Sequence, residues 1–185
     1  MSQMKAAMAV ILPAIFSRAR GGVWLVTFLC LASAGLRAEV KLDNPVDAFR
    51  ITTLRGAQIT LAGQRGRILV INLWATWCAP CREEMPAIEA FHRKYRNSGV
   101  DVVAISVDDR SDLAAVSKVM ASYTFPAALA ADSELKAFGR VRHVPATFVI
   151  DRDGVLRRNG WADAGLVDQA TLEKAVATLL PEAPR

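Results

Sequence analysis

Residues 68–81 read ILVINLWATWCAPC, and this stretch decides the fold of the chain. Its first seven residues, 68–74, form a nearly continuous apolar run, which is typical of a strand buried on both faces of a sheet. Residues 79–96 then place apolar side chains at helical spacing on one side. The pattern predicts a central strand that leads, through a short loop ending at Cys78, directly into a helix.

Strand and helix patterns continue on both sides of this stretch. The predicted strands are 49–54 and 58–61 as a hairpin, 100–107, a short one at Leu129, 146–151 and an antiparallel return at 155–161. The predicted helices are 79–96, 111–123 with Ser111 as its cap, a short turn at 134–138 and a closing helix at 165–180. The order predicts an α/β fold whose crossovers make strands parallel, with helices on both faces of the sheet.

The charge of the chain is concentrated at one end. The sequence has 23 basic and 18 acidic residues and a formal net charge of +5, but residues 1–38 hold four of the basic residues and no acidic one. The remaining 19 basic and 18 acidic residues nearly balance. This balance argues against a nucleic-acid-binding protein, which would carry a basic patch on the domain itself.

The N-terminal segment has the pattern of an export signal. Arg18 and Arg20 precede an uncharged stretch, 21–36, which contains the small residues Ala-Ser-Ala at 32–34. The stretch is shorter than the roughly 20 residues of a membrane-spanning helix, so a cleaved signal is favoured, and membrane anchoring through 21–36 stays open. We therefore predict a signal peptide or N-terminal anchor over 1–38, a polar linker over 39–47, a domain over 48–185 and a periplasmic location.

Cys78 and Cys81 form the candidate reactive pair. Cys78 is expected at a helix N-terminus, where unpaired backbone N–H groups favour the thiolate that attacks disulfides. Cys81, one turn further on, is expected to be less exposed and to resolve the mixed disulfide. A structural disulfide would usually close a longer loop, and a structural zinc would need four ligands where the sequence offers no second cysteine pair. The spacing therefore favours a redox role.

Residues 72–86 (NLWATWCAPCREEMP) and 144–154 (VPATFVIDRDG) together resemble the thioredoxin superfamily, and most closely its TlpA/ResA-like branch. This branch includes the thioredoxin-like proteins of cytochrome c maturation. The resemblance covers about 48–180. It implies a thioredoxin-like fold with a central mixed sheet flanked by helices, an N-terminal hairpin and a central insertion between 100 and 144.

The same resemblance implies an activity and its partners. The chain would be a thiol–disulfide oxidoreductase of the protein-disulfide reductase type, exchanging disulfides with exported proteins. It would need no cofactor beyond the redox-active pair Cys78–Cys81 and no metal. A reduced pair outside the cytosol needs an electron source, so a membrane electron-transfer partner is expected.

The resemblance also implies roles for residues around the pair. It implies a cis Val144–Pro145 bond, whose backbone would hold a substrate strand beside Cys78. Asn72 stands where thioredoxin has a buried aspartate, so Glu84 would take the proton of the resolving cysteine; a carboxylate that merely favours the first helical turns is the alternative. Trp77 would belong either to a docking surface for substrate or to the core.

A copper-binding protein of the same fold is the rival hypothesis. Cys78, Cys81 and His143 would be its ligands, because His143 lies two residues before Pro145. Thioredoxin-like copper carriers use a wider cysteine spacing, however, and Met-rich surroundings are missing here. A non-catalytic scaffold is the third hypothesis, and it predicts that Cys78→Ser would leave activity intact.

Overall fold

The computed structural model describes residues 40–163 and 165–180. Within these ranges the strands are β1 Arg50–Thr52, β2 Gln58–Thr60, β3 Ile68–Trp74, β4 Val100–Ser106, β5 Ala127–Leu129, β6 Ala146–Ile150 and β7 Leu156–Arg158. The α-helices are α1 Ala79–Tyr95, α2 Leu113–Met120 and α3 Gln169–Val176. The predicted order of elements is confirmed, including the short helical turn near 136, which is a 3-10 helix over Lys136–Phe138.

β3 is the central strand of a five-stranded mixed sheet with the order β5-β4-β3-β6-β7. It runs parallel to β4 and antiparallel to β6. All seven residues of β3 are buried, as the apolar run predicted. The last residues of β3 lie beside the end of β4 and the beginning of β6, with Trp74 opposite Ser106 and Leu73 opposite Ala146. The three chain segments that meet at this edge build the candidate site.

The two faces of the sheet are covered by different kinds of structure. Buried residues of all three α-helices pack in one cluster with Val70 and Trp74. The opposite cluster contains Leu69 and Ile71 of β3, together with residues of β1 and of the 3-10 helix near 136. The crossovers β3-α1-β4 and β4-α2-β5 move across the sheet in the same direction, so right-handed connections place both helices on one face. The predicted helical cover of the second face is therefore limited to short 3-10 structure.

Residues 40–47, where the sequence favoured a linker, instead pack against the edge strand β7. The backbone N–H of Asp43 donates to Leu156 O at 2.8 Å, and Leu156 N–H donates to Asn44 O at 3.0 Å. Val40 and Val46 are buried in the opposite cluster, the one that contains Leu69 and Ile71. An edge strand leaves backbone groups unpaired, and this arm covers them. The polar composition of the arm led to the linker prediction, although its two valines are buried and anchor it to the domain.

The bounds of α2 and α3 differ from the predicted ones. Residues Arg110–Asp112 form a 3-10 turn, and α2 begins only at Leu113 with Asp112 as its N-cap, so Ser111 is not the cap. The closing helix begins at Gln169, where the Asp168 carboxylate accepts a hydrogen bond from Thr171 N–H at 2.7 Å. Local capping chemistry thus set the helix start four residues later than the apolar pattern indicated.

The predicted export signal or anchor over 1–38, including 21–36, lies outside the described residues. Among residues 40–163 and 165–180, no helix has both the length and the apolar character that crossing a membrane requires.

Candidate active site

Cys78 and Cys81 form a disulfide at the junction between β3 and α1. Their Cα atoms are 5.3 Å apart. Cys78 is the N-cap residue of α1, and its sulfur accepts a hydrogen bond from the backbone N–H of Cys81 at 3.2 Å. Cys78 is 5% exposed, whereas Cys81 is fully buried. The expected order of accessibility is therefore confirmed: Cys78 keeps a small exposed area, and Cys81 has none.

A buried carboxylate holds the loop that carries Cys78. Asp108, two residues beyond the end of β4, accepts hydrogen bonds from Thr76 N–H at 2.9 Å and from the Thr76 hydroxyl at 2.6 Å. The Ser106 hydroxyl donates to the same carboxylate. Burial acts to raise the pKa of Asp108, but the hydrogen bonds from Ser106 and Thr76 outweigh it and hold the pKa below its usual value. Asp108 thus stays ionised while it fixes the backbone next to the active pair.

Sequence reasoning missed Asp108, although a signal for it was present. The residue follows directly after a strand predicted to be parallel to β3. Parallel strands end at the same edge of a sheet, so polar residues just after two neighbouring strands come together. Applied to Thr76 after β3 and Asp108 after β4, this rule would have paired them.

Glu84, three residues after Cys81 on α1, is buried in the interior. Its Oε1 accepts a hydrogen bond from Asn72 Nδ2 at 2.6 Å, and its Oε2 accepts one from Val167 N–H at 3.0 Å. Burial raises the pKa of Glu84 above its usual value, against the opposing effect of these two hydrogen bonds and of the positive charge on Arg158. The structure therefore places Glu84 in a buried polar network on the face of α1 that also holds Cys81.

Asn72 connects this network to a second strand. Its Nδ2 donates one hydrogen to Glu84 and the other to the Thr147 hydroxyl oxygen, at 3.0 Å. Asn72 is fully buried and Thr147 nearly so. Sequence reasoning noted Asn72 only as a residue that cannot act as a base, and it missed Thr147, which lies opposite Asn72 in the β3–β6 register.

The peptide bond between Val144 and Pro145 is cis, as the resemblance implied. Val144 is partly buried and packs against the apolar cluster that contains both cysteines. Pro145 immediately precedes Ala146, which pairs with Leu73 near the end of β3. The bond is therefore at the edge of the sheet where the disulfide lies. The substrate-pairing role of Val144 and Pro145 stays a prediction.

Trp77, the residue directly before Cys78, is 69% exposed. It is the most exposed of the large hydrophobic side chains in the described part of the chain. This exposure excludes core packing, one of the two interpretations of Trp77. Trp74, by contrast, is completely buried beneath the site. Docking of a substrate on Trp77 remains a prediction.

The contacts of His143 are with Gly160 and Trp161. Its Nε2 lies 3.1 Å from the carbonyl oxygen of Gly160, so this nitrogen must carry the donated hydrogen. The ring also packs edge-to-face against Trp161, with 5.6 Å between ring centroids. Among the described residues, no group of three or more histidine, cysteine or acidic side chains is arranged to hold a metal ion. The copper hypothesis, with Cys78 and Cys81 as the other ligands, gains no support from these contacts.

Comparisons with known proteins agree with this geometry. Residues 42–159 match the AhpC/TSA family. The thiol–disulfide oxidoreductase ResA of Bacillus thuringiensis subsp. konkukian is 37% identical over 119 residues, which cover 63% of this chain and 67% of that protein. A thioredoxin-family thiol:disulfide interchange protein from Chlorobium tepidum superposes with a TM-score of 0.64 at 25% identity, over 77% of this chain and 99% of the other.

A third similar protein is described as a secreted disulfide oxidoreductase of Mycobacterium tuberculosis, homologous to DsbE of E. coli. Its structure superposes with a TM-score of 0.58 at 26% identity, over 70% of this chain and 95% of the other.

Proposed function

The chain belongs to the AhpC/TSA family and is a thiol–disulfide oxidoreductase, and from this premise we propose that it acts as a reductant of exported proteins. The observation that carries the exchange chemistry is the pair itself, a disulfide at the start of α1 with Cys78 slightly exposed and Cys81 fully buried, while the reducing direction rests on the resemblance. This asymmetry supports attack by Cys78 and resolution by Cys81, because the more exposed residue meets a substrate first.

The reaction begins from the reduced pair. The Cys78 thiolate attacks one sulfur of a substrate disulfide, forms a mixed disulfide and expels the other substrate sulfur as a thiolate. Cys81 then loses its proton, and its thiolate attacks the Cys78 sulfur. The second substrate thiolate leaves, and the Cys78–Cys81 disulfide remains, so two electrons have moved from the pair to the substrate.

Glu84 is proposed as the group that takes the proton of Cys81. The two residues are three positions apart on α1, a spacing that places side chains on the same face of a helix. Cys81 is fully buried, so its proton needs a nearby acceptor rather than bulk water. Burial raises the pKa of Glu84 toward the range in which a carboxylate accepts a proton from a thiol more readily.

The substrates and the location follow from the same proposal. Reduction of exported proteins would place the domain in the periplasm, after cleavage of residues 1–38 or tethered through 21–36. The pair would be recharged by a membrane electron-transfer partner. A disulfide of apocytochrome c is a candidate substrate through the resemblance to the cytochrome c maturation branch. No cofactor beyond the cysteine pair takes part.

The deciding experiment is the reduction potential of the Cys78–Cys81 couple, titrated against glutathione with the purified protein. A value near or below about −220 mV marks a reductant that requires a membrane donor. A value near roughly −120 mV marks an oxidant and would overturn the proposed direction. The Cys81→Ser variant serves as the control, because it can form only a mixed disulfide with glutathione at Cys78 and not the intramolecular disulfide.

A further inference from the structure

Asn72, which is hydrogen-bonded to the proposed proton acceptor Glu84, has a buried side-chain oxygen whose role is not yet accounted for. Its Nδ2 donates both hydrogens, one to Glu84 Oε1 at 2.6 Å and one to Thr147 Oγ1 at 3.0 Å. Its Oδ1 is buried and has no hydrogen-bond partner among the residues that the structure describes. A buried carbonyl oxygen without a partner costs free energy, so a reason is needed for an amide in this place rather than an apolar side chain.

We propose that the Asn72 carboxamide is a positioning residue that partners Glu84 in both of its protonation states, turning by half a turn about its Cβ–Cγ bond when Glu84 gains or loses its proton. With Glu84 ionised, Nδ2 donates to Oε1, which is the arrangement observed. With Glu84 protonated, Oδ1 takes the place of Nδ2 and accepts the carboxylic O–H. The inference rests on the proposed function of Glu84 and deepens it.

The chemistry of the neighbours makes both arrangements possible. Glu84 Oε2 is held by Val167 N–H in either state, so the proton belongs on Oε1, the oxygen that faces Asn72. An –NH2 group cannot accept that O–H, whereas an amide oxygen can. The Thr147 hydroxyl accepts from Nδ2 in the observed arrangement and can rotate to donate to Oδ1 in the other. A turned amide would therefore give the Asn72 oxygen two partners, while its NH2 group would take the position in which Oδ1 is now unpartnered, so the unpaired polar group is exchanged and not removed.

Other residue types at position 72 could not do this. An aspartate would place two carboxyl groups in contact in a buried site, and the like charges would oppose ionisation of both. A leucine of similar size would offer neither a donor nor an acceptor. Asparagine is amphoteric, and it carries no charge of its own that would compete with Glu84.

The charged and titratable groups that face Glu84 come from several elements. Arg158, on β7, contributes a positive charge that favours the ionised form, and it pairs with Asp163 at 3.6 Å. Cys81 on α1 is the proton source in the reduced protein, and Cys78 forms the mixed disulfide with the substrate. β3, β6 and the segment before α3 contribute only the neutral groups of Asn72, Thr147 and Val167. Proton transfer to Glu84 therefore removes the negative charge of its carboxylate, and the neighbouring groups that β3, β6 and the segment before α3 contribute are neutral.

The test is an NMR titration of the oxidised protein, labelled with 13C and 15N, with no substrate present. The Glu84 side-chain carboxyl signal reports its protonation, and the Asn72 side-chain NH2 signals report the amide. We expect the Asn72 signals to change with the same midpoint as Glu84, and the nuclear Overhauser contact from the NH2 protons to the Thr147 side chain to disappear on the acidic side. Retention of that contact on both sides of the midpoint would overturn the proposal.

Two variants provide controls. In Glu84→Gln the Asn72 signals should become independent of pH over the same range, since the titrating group is gone; continued titration would assign the change to another group and refute the inference. In Asn72→Leu both forms of Glu84 lose a partner, and the Glu84 midpoint should still move upward, because the hydrogen bond donated to the ionised carboxylate is the stronger of the two. A midpoint that does not rise would contradict this hydrogen-bonding scheme.

This experiment separates the inference from the proposed function. If the protein proves to be an oxidant, or has no exchange activity, the titration still decides whether Asn72 follows the Glu84 proton. If the protein reduces disulfides but the amide does not respond, the role assigned to Asn72 fails while the reductase proposal stands.

Discussion

Replacing Trp77 with alanine tests the docking surface most directly, because the side chain is exposed and stands next to the attacking cysteine. Its exposed fraction is 69%. An aromatic side chain of this size offers about 150–250 Å² of contact area, so roughly 100–170 Å² of Trp77 is available to a partner. At about 25 cal/mol per Å², complete coverage would contribute roughly 2.5–4 kcal/mol.

A substrate strand covers only part of one exposed ring, so we expect about half of that contribution. This corresponds to a loss of roughly 1.5–2 kcal/mol of transition-state stabilisation, or about 10- to 30-fold in kcat/KM for a protein disulfide. The free energy of unfolding should change by no more than about 0.5 kcal/mol, as for other exposed positions. A small disulfide such as oxidised glutathione cannot cover the ring, so its reduction should be nearly unaffected.

The assay compares kcat/KM for a protein disulfide and for oxidised glutathione in the same two proteins, with urea unfolding as the stability measurement. Leu113→Ala is the matched control, since Leu113 is another exposed apolar side chain, 43% accessible, on α2. It should change neither rate. Equal losses with both substrates, or a loss of stability above about 1 kcal/mol, would refute docking through Trp77 and assign it a structural role.

Three further perturbations address the interior of the site. Asp108→Asn weakens charge-assisted hydrogen bonds to the active-site loop and should lower the free energy of unfolding by about 1–3 kcal/mol in urea; no loss would mean that the loop is held by other contacts. Because burial raises the pKa of Glu84, its ionisation destabilises the fold, so unfolding free energy should fall as pH rises from about 4.3 through that raised pKa. Glu84→Gln should remove this fall, and parallel pH profiles of the two proteins would contradict the argument. Gly160→Ala would place a Cβ 2.7 Å from backbone of β6 and should cost about 1–3 kcal/mol, whereas Gly165→Ala meets no atom within 4 Å and should be close to neutral in the same unfolding assay.

The sequence was most informative where local pattern and chemistry coincide. The apolar run of β3, the CxxC spacing and the periodicity of α1 are all short-range features, and the structure has each element within one residue of its predicted bounds. The cis bond before Pro145 could be predicted as well, but only through the resemblance and not from the residues alone. Local signals thus located the disulfide and its helix.

What could not be predicted depends on contacts between distant segments. The arm over 40–47 has the composition of a linker, and only the unpaired edge of β7 explains why it is ordered against the sheet. The pairing of Asn72 with Thr147 spans 75 positions. Which polar side chains meet is decided by strand register, and register between non-neighbouring segments cannot be read from either segment alone.

Substrate contact and proton transfer involve residues on different sides of the N-terminus of α1. Trp77 is exposed and Cys78 keeps a small exposed area, so a substrate makes its contacts on this side. Cys81, Glu84 and Asn72 are buried, so the movement of the proton is governed from the interior. The two sets are joined at the cysteine pair, by the disulfide and by the hydrogen bond from Cys81 N–H to the Cys78 sulfur, whereas Trp77 shares no hydrogen bond with Glu84 or Asn72 within the described residues. Substitution of Trp77 should therefore change rates in a substrate-dependent way, and substitution of Glu84 or Asn72 should change the pH dependence for every substrate. A surface variant that shifts the pH profile, or an interior one that discriminates between substrates, would show that the two tasks are coupled through α1.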